Sequence, residues 1–75
     1  MKIFHLERTG AGYGEAVAFV VIARDIEQAR VLACGRAGAE GPHLWDGPAV
    51  TVTILGQSAA GEQARVVLAD YRETE

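Results

Sequence analysis

The sequence predicts a small α+β domain with the element order ββαββ: a four-stranded, mainly antiparallel sheet carrying one helix on one face. Three observations predict it. Only Asp25 to Gly38 combines a helical period with helix signals at both ends, four other segments have the alternation or apolar density of strands, and glycine- or proline-rich stretches separate most of them. A chain of 75 residues suffices for one domain, 1–75, near the lower limit of what a single core stabilises.

Residues 2–8 alternate, Phe4 and Leu6 on one side and Ile3, His5 and Glu7 on the other, which is the period of a strand. Thr9 to Gly14 holds three glycines that permit positive φ and can turn the chain into a hairpin. In residues 16–23 both faces are apolar, with Val17, Phe19 and Val21 against Ala16, Ala18, Val20 and Ile22, as in an inner strand covered on both sides. The helix follows directly. Asp25 can accept the N–H of Gln28 while the Gln28 side chain reaches back, and Gly35 and Gly38 supply stop signals. At about 100° per residue, Ile26, Ala29, Leu32, Ala33 and Ala37 share a stripe opposite Glu27, Gln28, Val31 and Gly35. Its alanines let the helix lie close to a sheet, with Ile26 and Leu32 as the larger knobs.

Gly41, Pro42, Gly47 and Pro48 exclude regular structure over residues 39–48, while Leu44 and Trp45 draw that loop back onto the core. Residues 49–55 form the third strand, with Val50, Val52 and Ile54 alternating against Thr51 and Thr53. Gly56 to Glu62 is a polar loop of small residues, and residues 64–71 form the fourth strand, with Val67, Ala69 and Tyr71 opposite Val66, Leu68 and Asp70.

Apolar residues make up 49% of the chain against 23% charged, which is globular composition. Ten acidic against seven basic residues give a net charge of −3, which disfavours non-specific binding to nucleic acid or anionic membranes. The single cysteine, Cys34, has no partner for an internal disulfide, in keeping with a reducing cytoplasm. Lys2, His5, Glu7 and Arg8 break up the start of the chain, unlike a signal peptide. The longest apolar run, Ala16 to Ala23, is eight residues, far short of the roughly 20 a membrane helix needs. The expectation is a soluble, intracellular protein.

No chemical signature stands out. Gly10, Gly12 and Gly14 suggest a phosphate loop only superficially, because such loops lead into a helix and this one leads into a strand. His5, His43 and Asp46 match no metal-ligand spacing, and Cys34 has no lysine or helix N-terminus beside it to activate a thiol. Ser58 and the threonines lack His and acid partners at a recognisable spacing. Arg24, Arg30 and Arg36 could make a small basic strip, though sparse aromatics argue against a nucleic-acid platform. No catalytic residue, cofactor or metal is therefore expected. Besides the capping Asp25, the acidic residues are scattered, at Glu7, Glu15, Glu27, Glu40, Asp46, Glu62, Asp70, Glu73 and Glu75, with a cluster at the C-terminus. They could face the basic surface of a nucleic-acid-handling protein or simply solubilise the chain.

One helix covers one face of a four-stranded sheet, whereas the second and fourth strands are apolar on both. The uncovered surface implies an interface, with a second copy or another protein, unless the Trp45 loop folds over it.

Met1-Lys2-Ile3, the Gly-Tyr hairpin loop, Ala18-Phe19-Val20-Val21, Glu27-Gln28-Ala29-Arg30, Gly38-Ala39-Glu40-Gly41, Trp45 and Val67-Leu68-Ala69-Asp70-Tyr71 together resemble a group of short, uncharacterised phage and prophage proteins. The likeness spans nearly the whole chain, which departs from the group in lacking an acid-rich helix and in ending Arg72-Glu73-Thr74-Glu75. Size, acidity and the plan of one helix on an antiparallel sheet are also similar to those of several anti-CRISPR proteins, most of them non-enzymatic occupants of a DNA-binding surface. That likeness implies an inhibitor in the host cytoplasm that binds Cas proteins of a type I CRISPR surveillance complex (Cascade) and blocks its target DNA. Its contacts would come from Glu15, Phe19, Trp45, Asp46, Glu62, Asp70 and Tyr71; the uncovered apolar sheet surface adds the expectation of a homodimer, and the negative charge that of no direct contact to nucleic acid or membrane. The other readings are a phage structural or assembly accessory, working through homodimer or virion contacts, and a small enzyme or ligand-binding domain.

Overall fold

The structure, a computed structural model, describes residues 1–73; Glu75, one of the acidic residues named above, lies outside them. Strands β1 (Lys2–Glu7) and β2 (Ala16–Ala23) form a hairpin, helix α1 (Ile26–Cys34) returns across one face, and a 3-10 helix (Pro42–Asp46) leads to β3 (Thr51–Gln57) and β4 (Arg65–Tyr71). The sheet order is β3-β1-β2-β4, with every neighbouring pair antiparallel. The ββαββ plan with one helix on a four-stranded sheet is therefore the observed fold. The hairpin is the centre of the sheet, and β3 and β4 take opposite edges.

Gly10 and Gly14, at φ 75° and 78°, allow the turn between β1 and β2. Asp25 caps α1 by accepting the Gln28 N–H at 2.8 Å, and the Gln28 side-chain oxygen accepts the N–H of Arg24 at 2.7 Å, one residue further back than a capping box requires. The helix ends at Cys34 rather than Gly38. Beyond it the N–H groups of Arg36 and Ala37 bond three residues back, to Ala33 and Cys34, and the chain closes on the hairpin loop, where the Ala39 N–H donates to the Gly14 carbonyl at 2.9 Å. A Cβ on Gly38 would overlap that same carbonyl oxygen, so only glycine fits there.

The core joins Phe4, Leu6, Phe19 and Val21 of the hairpin to Ala29 and Ala33 of the helix, with Trp45 and Val50 closing it. Trp45 is 0% exposed and meets the Phe19 ring edge-on, the centroids 4.6 Å apart. Residues 42–46, expected to lack regular structure, wind into a short 3-10 helix with proline in its first turn, where a missing N–H costs nothing. The Arg30 guanidinium ties this segment to α1 through the carbonyls of Trp45 and Gly47, 3.0 Å from each. Ile26, expected as a large knob, is 45% exposed, because a side chain in the first turn leans towards the helix N-terminus and away from the sheet.

Three irregularities interrupt the ladders. Val17 is skipped where Ala16 pairs with Tyr71 and Ala18 with Asp70, and Val67 is skipped where Val21 pairs with Val66 and Val20 with Leu68. Each is a β-bulge, in which adjacent residues share one face. Ala16 and Val66 thereby join the core side while Val17 and Val67 turn away, the reverse of the alternation expected for those four residues. The third, at Leu55, lies between the pairs Phe4–Ile54 and Ile3–Gly56 and lets β3 run to Gln57 rather than stop at residue 55.

Candidate interaction surface

With α1 and the 3-10 helix on one side, nothing among the described residues covers the other side of the sheet. Register places three cross-strand rows there. Gly56, Ile3, Ile22 and Arg65 mark one end, with the bulge residue Leu55 next to Gly56; Thr53, His5, Val20 and Leu68 cross the middle; and Thr51, Glu7, Ala18 and Asp70 mark the other end. Leu55 and Leu68 are 57% and 61% exposed, whereas Ile22 is buried among its strand neighbours without touching the core cluster. The face thus grades from apolar with one cation, Arg65, at the Ile3 end to acidic at the Glu7–Asp70 end. Those two carboxylates are two strand spacings apart, about 10 Å.

The residues expected to contact a partner do not share this surface. Phe19 and Trp45 are core and present nothing to a partner, which corrects their assignment as contact residues. Tyr71 packs against the core, its hydroxyl donating to the Arg36 carbonyl at 2.5 Å. Glu15 is an internal tie. It accepts the Gly12 N–H at 2.8 Å and the Arg8 guanidinium at 3.0 Å, and first the Gly12 bond, then Arg8, holds its carboxyl below the ordinary value. Asp46 sits on the 3-10 helix, on the opposite side of the sheet, and Glu62 in the β3–β4 connection pairs with Arg65 at 2.7 Å. Of the seven, Asp70 alone stands on the open face. The residues that share it, Ile3, Val20, Leu55, Leu68 and Glu7, become legible as a set only when the register of all four strands is known.

Glu40 accepts the Ala16 N–H at 2.9 Å on one oxygen and the Trp45 indole N–H on the other. Burial pulls its carboxyl pKa up, and the bonds from Trp45, from Ala16 and from the backbone at 38–40 outweigh that, leaving it below the ordinary 4.5. Burial and the nearby Asp46 push the Cys34 thiol up, so it is held in its unreactive form. His5 lies on the open face while His43 and Asp46 lie in the helix layer, and among the described residues no three metal-ligating side chains converge. The three arginines separate too, Arg24 to Asp25, Arg30 to the 3-10 helix and Arg36 into a cleft between α1 and β4. No helix among the described residues is long and apolar enough to cross a membrane. Comparison with known proteins finds no family model, curated protein or solved structure that matches this chain.

Proposed function

We propose that this chain is a binding protein rather than an enzyme, and that it acts by laying its uncovered sheet face on a larger protein assembly. The observation that supports this reading is the one-sided packing of the sheet, which leaves Leu55 and Leu68 exposed and Ile3 and Val20 half-buried beside an acidic row at Glu7 and Asp70. An apolar patch rimmed by carboxylates fits a partner whose own surface is apolar and basic, as the surfaces that hold nucleic acid are. Together with the likeness in plan to phage-encoded inhibitors, this makes a type I CRISPR surveillance complex in the host cytoplasm the partner of choice, and exclusion of target DNA the mechanism.

The test is target-DNA binding and cleavage by type I complexes with and without the protein. Inhibition by the parent should be lost in Leu68→Arg and weakened in Glu7→Lys/Asp70→Lys, the latter most at low salt, where charges more than about 8 Å apart are still felt. Full DNA binding in the presence of excess parent protein would end the inhibitor reading. Inhibition undiminished by Leu68→Arg would move the contact off this face. The unpaired edges β3 and β4 favour a second reading, a phage assembly accessory, which recovery of a capsid or tail protein with the tagged chain from infected cells would support.

A further inference from the structure

We infer that β4 is a self-pairing edge: two copies of this chain join antiparallel along residues 65–70 about a two-fold axis, with Arg65 of each copy opposite Asp70 of the other. The inference comes from the order of faces along β4. Val66 and Ala69 pack against the core, while Arg65 and Asp70 stand on the open face opposite Ile22 and Ala18. The bulge at Val67 turns Val67 and Leu68 to that open face as well. Reading outward from the midpoint, the sequence of faces is the same in both directions.

Such a strand matches a second copy of itself. Pairing 65 with 70, 66 with 69 and 67 with 68 puts open-face residues opposite open-face residues and core-face residues opposite core-face residues throughout. An ordinary strand alternates, so two adjacent residues can never be paired across a two-fold axis normal to the sheet without setting opposite faces against each other. The extra residue in β4 removes that conflict, and because both copies carry it the two irregularities meet and cancel. The ends of the six-residue match are of opposite charge, giving two symmetric Arg65–Asp70 pairs with Cβ atoms about 5 Å apart. Arg65 keeps its exposed Glu62 contact at the same time, since a guanidinium has five N–H donors.

The surroundings of the edge agree. Val67 and Leu68 are 52% and 61% exposed, and Val31, the most exposed apolar residue of α1 at 68%, lines the cleft between α1 and β4 with Leu32 and Val66. β4 contains no proline or lysine to keep another strand away. The opposite edge, β3, has no charged residue and therefore nothing to set a register. Joined at β4, the two sheets become one of eight strands whose open faces run together.

The experiment is sedimentation and light scattering of the parent, of Arg65→Asp, of Asp70→Arg, and of the two variants mixed. The parent should have twice the mass of an 8.0 kDa chain at micromolar concentration. Each variant alone puts like charges opposite each other twice and should dissociate roughly thirtyfold more readily. The equimolar mixture should recover the dimer, since each of its two charge pairs then sets a carboxylate of the first variant against a guanidinium of the second; neither an unfolded variant nor a pairing elsewhere could do this. In the parent, amide hydrogens of residues 65–70 should gain protection as concentration rises, while those of β3 do not. A monomer at all concentrations, a dimer indifferent to both charge reversals, a mixture that stays monomeric, or protection gained along β3 instead would each overturn the inference. None of these readouts involves a second protein, so they stand or fall independently of the proposed partner.

Discussion

Glu40 should be the most consequential carboxylate in the molecule, and its replacement by glutamine measures how the 39–48 segment is held down. Both of its partners, the Ala16 N–H and the Trp45 indole N–H, are donors on fully buried residues, and a carboxylate offers each an acceptor oxygen. Glutamine has a single acceptor oxygen, so its amide nitrogen must face one of the two donors. Orphaning one buried donor costs about 1–3 kcal/mol, and Glu40→Ala, which orphans both, about 2–6 kcal/mol, out of a total of about 5–15 kcal/mol for a domain. Urea unfolding followed by the fluorescence of the only tryptophan reads the loss directly. The pH dependence supplies the sign. A carboxyl held below its ordinary 4.5 in the folded protein stabilises it above that value and loses the contribution as pH falls through the folded pKa. The gap between parent and Glu40→Gln should therefore be full at pH 7 and narrow progressively below about pH 4.5. Equal urea midpoints at pH 7, or a gap that stays constant down to pH 3, would refute the clamp.

Three further outcomes follow from packing. Gly38→Ala should lower stability by about 1–3 kcal/mol, because its new methyl meets the Gly14 backbone oxygen, which cannot swing aside; an unchanged thermal midpoint would contradict the close approach. Ile26→Ala should cost less than about 1 kcal/mol and Ala33→Leu about 1–3 kcal/mol, the reverse of what side-chain size alone suggests, and denaturant midpoints of the two variants decide it. Cys34 should react with a disulfide reagent at pH 8 more slowly than a cysteine in an unstructured peptide, since its raised pKa reduces the thiolate; equal rates would show the thiol to be free of its burial.

Alternation and capping residues made the elements legible, because Phe4, Leu6, Asp25 and Gln28 act through neighbours a few positions away. What stayed hidden acts at long range. Counting by twos passes over a bulge without a mark, so Ala16 and Val66 read as facing away from the core when the extra residues Val17 and Val67 put them in it. The order β3-β1-β2-β4 depends on which strands pair across long intervals, and no local pattern encodes that. Phe19 and Trp45 drew attention as aromatic anchors for a partner, yet in a chain this short the large rings are needed to fill the interior. The open face itself was legible in the doubly apolar strands, while its acidic end, built from residues 7 and 70, could be seen only with β2 between them.

β3 and β4 are consecutive in sequence yet do not touch, each being held by a different strand of the hairpin. The segment 58–64 must pass the end of β1 and β2, where the Ser58 N–H donates to the Met1 carbonyl, and span three strand spacings, about 14 Å. It connects two elements that are docked independently. A break at Gly61 would therefore leave a fragment bearing the hairpin, the helix and β3, with an empty groove along β2 into which a detached β4 peptide could fit. The molecule is in effect a receptor with its own strand attached by a tether, and a split reporter cut at Gly61 would assemble through the pairing that already holds the sheet together.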